Sequence, residues 1–135
     1  MKVLIIDDDE NLQFLTTVWL AKAFGLELHF ASESTEALKK YTMRGPYDLV
    51  LTDFVHPGLD GVALAKAIRK KNAKQAIAML TGGMPDSAER ACKRMKIPVI
   101  SRLSAPEMLP ELVKAATGRR KNSKKSGRAE KKIAR

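Results

Sequence analysis

The stretch VLIIDDDEN, residues 3–11, sets four apolar residues against four consecutive acids before Asn11. Two carboxylates about 4 Å apart repel by roughly 1 kcal/mol in water and about 4 kcal/mol near a protein surface, so the run needs something that offsets its charge. A helix start accounts for Asp9 and Glu10, because unpaired backbone N–H groups and the positive end of the helix dipole favour acids. Asp7 and Asp8 fall instead at the end of a strand. For them the alternative is a divalent cation with hard oxygen ligands, and this stretch alone leaves the two readings level.

The same motif of a short apolar run followed by a helical period recurs along the chain. Buried strands are expected at Val3–Ile6, Leu26–Phe30, Leu49–Thr52, Ala76–Leu80 and Val99–Ser101. Between them lie amphipathic helices. The first carries Leu12, Leu15, Trp19 and Ala23 on one face and stops at Gly25, with Trp19 read as core. The second runs from about Ser34 to Met43, capped by its serine and followed by Gly45-Pro46. The third follows Asp60-Gly61 and ends in Arg69, Lys70 and Lys71, read as a solvated helix end beside the dipole's negative pole. The fourth opens with Asp86 and Glu89 at capping-box spacing, with Ala88, Ala91, Cys92 and Met95 on one side. The last opens near Ser104 and Pro106, and Pro110 should kink or restart it. Five βα units predict a doubly wound α/β domain with a parallel sheet covered on both faces.

A chain of 135 residues with 44% hydrophobic content suffices for one domain with a core. No apolar run approaches bilayer-spanning length, and the start turns acidic too early for a secretory signal, so a soluble cytoplasmic protein without membrane contacts is expected. A single cysteine, Cys92, excludes a disulfide framework and reads as a buried thiol. The formal charge of +10 is concentrated at one end: residues 118–135 hold nine Lys or Arg and one Glu, leaving 16 against 14, or +2, for residues 1–117. That basic tail has almost no apolar residues and is expected to be disordered. It reads either as a solubilising end or as an arm for anionic surfaces such as nucleic acid.

The third strand, in YDLVLTDF, also ends in an acid, Asp53. In an open α/β sheet, ligands bind outside the carboxyl ends of the strands where strand order reverses. With order 2-1-3-4-5, strands one and three flank that point, and Asp7, Asp8 and Asp53 converge. Three carboxylates in one pocket call for a cation, and Mg²⁺ suits carboxylates with phosphate oxygens. Thr81 ends the fourth strand and Arg102 follows the fifth, adding a hydroxyl and a positive charge at the same edge. Such a set fits phosphoryl transfer with Asp53 as nucleophile.

These residues carry a resemblance. The acid pair in VLIIDDDEN, the segment DLVLTDFVHPGLDG, the hydroxyl in MLTGG and the spacing of the βα units make residues 1–117 similar to the receiver domain of two-component response regulators, a flavodoxin-like (βα)5 fold. The resemblance implies that Asp7, Asp8, Asp53 and the backbone carbonyl of Val55 bind Mg²⁺. It implies that Asp53 takes a phosphoryl group from a sensor histidine kinase or phosphotransfer protein, with Thr81 and Arg102 on the phosphoryl oxygens. Pro57, Asp60 and Gly61 would shape the following loop and cap a helix. A downstream protein would read the face made by the fourth and fifth helices, and the same face is where such domains form homodimers.

The sequence also departs from that pattern. Arg102 stands where the family has lysine and Leu103 where it has proline, so the Arg102–Leu103 bond is expected to be trans, a cis form costing about 2.5–4 kcal/mol before leucine. Val99 replaces the aromatic that swings inward on activation. Gly82 and Gly83 either loosen the loop after Thr81 as a switch or permit a tight turn. His56 reads as an exposed loop residue and His29 as a strand residue without a function. Two other readings follow: a pseudo-receiver, uncoupled from phosphorylation and serving as a protein-binding module, and an aspartate-dependent phosphatase with Asp7 as nucleophile in the D-x-D of Asp7-Asp8-Asp9. Asn11 and the lack of a cap weigh against the second.

Overall fold

The computed structural model describes residues 2–8, 25–55, 58–101, 111, 114 and 115. Five parallel strands, β1 (Lys2–Ile6), β2 (Glu27–Ala31), β3 (Leu49–Asp53), β4 (Ile77–Thr81) and β5 (Val99–Ser101), form one sheet in the order β2-β1-β3-β4-β5. The three described helices are α1 (Ser34–Arg44), α2 (Gly61–Lys71) and α3 (Asp86–Arg94). The helix expected around Leu12–Ala23, with Trp19, lies outside the described residues, as do His56, Pro57, Arg102, Leu103, Pro110 and the tail; of the helix expected beyond Ser104, Glu111, Lys114 and Ala115 are described and helical. Among the described residues no helix is long and apolar enough to cross a membrane.

Alternation along the strands builds two cores. Leu4, Ile6, Val50 and Met79 face one side, where they pack with Ala37 and Tyr41 of α1, Leu64, Ala65 and Ile68 of α2, and Ala91 and Cys92 of α3. Val3, Ile5, Leu49, Leu51, Ala78, Leu80 and Ile100 are buried on the other. With both faces covered, the inner strands β1, β3 and β4 are buried at nearly every position, which is why they read as apolar runs, while the edge strands β2 and β5 carry exposed residues. β3 and β4 extend one residue further than expected, through Asp53 and Thr81, so these two polar residues sit in the ladder itself. Cys92 is fully buried as expected, and its surroundings push the thiol pKa up, so it stays protonated.

Two helix starts differ from the expectation. α1 is capped by Glu33, whose carboxylate accepts from the Glu36 N–H, and Ser34 is its first helical residue. Glu36 reaches back to the N–H of Ser32 at 2.9 Å, and this bond first of all holds its carboxyl below the usual 4.5. Before α3 the cap position is Pro85, which offers no side-chain acceptor. Asp86 is therefore already helical and does not close a capping box with Glu89, though both acids still favour the first turn's exposed N–H groups.

At the amino end of the sheet a buried glutamine ties the layers together. Gln75 Oε1 accepts from the Tyr41 hydroxyl (2.6 Å) and the Tyr47 N–H (3.1 Å), and its Nε2 donates to the carbonyls of Tyr47 (2.8 Å) and Ala76 (2.9 Å). The Tyr47 hydroxyl meets His29 Nδ1 at 2.7 Å, and His29 Nε2 meets the Glu27 carboxylate at 2.6 Å. Burial pushes both tyrosine pKa values up, which keeps the phenols neutral inside this network.

Candidate functional site

Parallel pairing sends the carboxyl ends of β1, β3 and β4 to one edge. Ile6 pairs with Thr52, which brings Asp7 and Asp53 to one level on neighbouring strands. Asp53 pairs with Leu80, and Thr81 follows one residue on. Asp7 and Asp53 are 1% and 7% exposed, while Asp8 is open to solvent. A carboxylate oxygen from each of Asp7, Asp8 and Asp53 lies within 4.8 Å of the other two. At that separation a pair of full charges repels by about 3 kcal/mol in the effective dielectric of a protein surface. Three hard oxygen donors on two adjacent strands, one of them solvent-facing, fit a Mg²⁺ ion that keeps several waters.

The backbone around this cluster is fixed. The Asp7 N–H donates to Ala31 O at 3.0 Å, the Phe54 N–H to Leu80 O at 2.9 Å, and the Gly61 N–H back to Phe54 O at 2.8 Å. Gly61 packs directly beneath Asp53: a Cβ there would stand 2.5 Å from Met79 Sδ and 2.8 Å from the Asp53 carbonyl oxygen. Asp60 caps α2 as expected, its Oδ1 accepting from the Ala63 N–H at 2.8 Å. Val55 lies on the loop after Asp53 and is exposed.

Two further residues were not legible as part of the site. Ser34, 2% exposed, accepts the Leu59 N–H on Oγ at 2.7 Å, and so clamps the loop after Asp53 onto the start of α1. Gly58, at φ +90°, lies so close that a Cβ would come within 2.1 Å of that oxygen. The Pro57-Gly58 pair signals a turn, but nothing in the sequence links the next residue, Leu59, to a serine 25 residues away.

Thr81 is 8% exposed, and its Oγ1 accepts from the Gly83 N–H at 2.9 Å. That bond uses a lone pair and leaves the hydroxyl proton to be donated. Gly83, at φ +146°, belongs to this turn, which matches the tight-turn reading of the glycine pair. Val99 on β5 is 38% exposed. Among the described candidates, then, Asp7, Asp8 and Asp53 come together and Thr81 ends the next strand, while Arg102 falls outside the described residues. Backbone held by hydrogen bonds at Asp7, Phe54, Leu59 and Gly61 beside an acidic cluster suits chemistry that depends on positioning and on neutralising charge.

A family model described as the response regulator receiver domain matches residues 3–116. The chain is 36% identical over 80 residues to the alkaline phosphatase synthesis transcriptional regulatory protein PhoP of Bacillus subtilis, a match covering 59% of this chain and 32% of PhoP. It is 30% identical over 105 residues to the response regulator PleD of Caulobacter vibrioides, covering 78% of this chain and 22% of PleD. The matched stretch is thus a third or less of these relatives' lengths. Among solved structures, a response regulator receiver domain protein from Clostridium thermocellum superposes with a TM-score of 0.80 at 30% identity, covering 89% of this chain and 96% of that one. A CheY-like receiver from Methanospirillum hungatei gives 0.81 at 23% identity over 90% and 97%, a likeness of fold.

Proposed function

The chain belongs to the response regulator receiver domain family, and on that premise we propose that it is a phosphoacceptor of a two-component system, phosphorylated on Asp53. One observation carries this reading: Asp7, Asp8 and Asp53 converge at the strand ends, their oxygens within 4.8 Å, with Thr81 at the end of the neighbouring strand. In the proposed step an Asp53 carboxylate oxygen forms a bond to phosphorus as the bond from phosphorus to the donor breaks, giving an aspartyl phosphate. Asp7 and Asp8, with Asp53 and the Val55 carbonyl, would hold Mg²⁺, which when bound neutralises charge on the phosphoryl oxygens. Thr81 donates its hydroxyl proton to one phosphoryl oxygen, and Arg102 supplies a fixed positive charge to another. Ser34 bonds the Leu59 N–H and Gly61 packs against the Asp53 carbonyl, so both hold backbone that follows Asp53.

By the same reading the chain works in the cytoplasm, the donor is a sensor histidine kinase or phosphotransfer protein, and the phosphorylated form is read by a downstream protein or by a second copy of the chain. A pseudo-receiver remains the second reading, and the exposed valine at position 99 favours it, since valine offers little surface to hide or show on activation. Intact-protein mass after incubation with Mg²⁺ and acetyl phosphate separates the two. A single phosphoryl adduct in wild type that disappears in Asp53→Asn supports the phosphoacceptor. An adduct seen only in Arg102→Lys would show an intact acid pocket silenced by its cation.

A further inference from the structure

The near-neutral charge of residues 1–117 hides a strong internal separation. Residues 61–98 contain nine Lys or Arg and two acids, a balance of +7, so the rest of 1–117, seven against twelve, stands at −5. The fold gives this separation a direction. In βα units the helices run back toward the amino ends of the strands, so the ends of α2 and α3 lie at the edge opposite Asp53. There α2 finishes in Arg69, Lys70 and Lys71 with Lys74 in the turn after it, and α3 finishes in Lys93 and Arg94 with Lys96 beyond.

Arg69 joins the two turns. Its Nε donates to Gln75 O at 3.0 Å, just before β4, and its Nη1 to Met95 O at 2.5 Å, just before β5. It is therefore a half-buried staple, not the solvated helix end that its sequence position suggests. Burial lowers its pKa without bringing it near neutrality. With the turns held side by side, Lys70, Lys71, Lys74, Lys93, Arg94 and Lys96 are all exposed at the ends of these two helices or in the turns after them. The ion pairs among the described residues are His29–Glu27 and Lys40–Glu36, so none of these six is paired with a described acid.

Lys96 adds a second, independent sign. It sits at φ +58°, in the left-handed position that closes α3, with the Ile97 N–H bonded to Cys92 O at 2.9 Å. Glycine takes that position with the least strain. A lysine there keeps a cation at the cost of backbone strain.

We propose that this Arg69-stapled surface on the ends of α2 and α3 binds the phosphodiester backbone of nucleic acid, separately from the acidic pocket and from the basic tail. The exposed large apolar residues among those described are Met43, Val55, Leu59 and Val99; none falls in the two basic turns, and Val99 opens the strand that follows the second. Protein interfaces and membrane-surface helices both need an apolar centre. A row of cations without one suits a polyanion read by charge alone.

The test is fluorescence anisotropy of a labelled DNA duplex titrated with the full chain at several NaCl concentrations. Wild type is compared with Lys70→Gln/Lys71→Gln/Lys74→Gln/Lys93→Gln and, separately, with Lys96→Gly. The quadruple variant is expected to weaken binding at least tenfold near 0.1 M salt, and to flatten the log Kd against log salt plot by about 0.9 for each phosphate it no longer neutralises. Lys96→Gly is expected to weaken binding while raising Tm by a few degrees, a pairing that a merely structural role would not give. Wild-type affinity and salt slope in the quadruple variant would overturn the proposal and leave all binding to the tail. Patch-dependent binding of anionic-lipid vesicles or polyglutamate with no binding of the duplex would overturn it as well.

Discussion

At the amino end of the sheet Gln75 is 2% exposed and uses every polar atom of its side chain, two bonds accepted and two donated. At the carboxyl end Asp7, Asp8 and Asp53 bring three acids within 4.8 Å of one another. Both ends bury polar groups, and the energetic signs are opposite. A neutral amide whose donors and acceptors are all met stabilises its surroundings, since removing it leaves buried backbone groups without partners. Clustered carboxylates destabilise the ion-free fold and become favourable when a cation or phosphoryl group changes the charge balance. The difference separates what holds this chain together from what makes it responsive.

The contrast is sharpest at Gln75. Gln75→Leu strips the Tyr47 N–H and C=O of their bonds inside the protein and should cost about 2–4 kcal/mol in urea unfolding, with the acidic pocket still able to bind Mg²⁺. A loss below about 1 kcal/mol would mean that water replaces the amide and that the amino end is not the anchor. A smaller effect of the opposite sign is expected at the other end. Asp8→Asn should raise stability by about 1 kcal/mol in EDTA, by relieving repulsion at an exposed position, while abolishing the upward Tm shift that Mg²⁺ gives wild type. Equal Tm values for the two proteins in EDTA would show that the cluster is already neutralised without an ion.

The smallest effect concerns Glu36, whose carboxyl is held low first by the Ser32 N–H and then by Lys40. A depressed carboxylate pKa contributes stability above the ordinary value of 4.5 and loses it as pH falls. Glu36→Gln should therefore cost about 0.5 kcal/mol or less at pH 7, the size of a solvent-screened interaction, and nothing once pH has dropped through the lowered value. Stability measured across pH 2–7 in both proteins checks the sign.

What could be read from the sequence divides along similar lines. Strands buried on both faces announce themselves as apolar runs, and their parallel arrangement sends every strand end to one edge, so Asp7, Asp8, Asp53 and Thr81 were legible from position alone. Cys92 was legible from its apolar helical neighbours, whereas the Asp60 cap came from the family resemblance. Arg69 and Gln75 were not: apart from the Tyr41 hydroxyl, 34 residues from Gln75, their partners are backbone groups, which carry no mark in the sequence. Ser34 was read as a cap because serine at a helix start usually is one, whereas the fold shifts the cap to Glu33 and turns the serine toward Leu59. The expected capping box at Asp86 failed by one residue, because Pro85 already holds the cap position.

β1 is an interior strand of the sheet, yet it is synthesised before both its partners: Lys2 waits for Glu27, and Val3 for Leu49. Until then four consecutive apolar residues leave the ribosome with open hydrogen-bonding edges, the composition that favours intermolecular pairing. The acids that follow act there as gatekeepers, since a growing stack of such strands would have to place their charges one above another. Asp7 and Asp8 thus protect the newborn strand by the same repulsion that later primes the pocket.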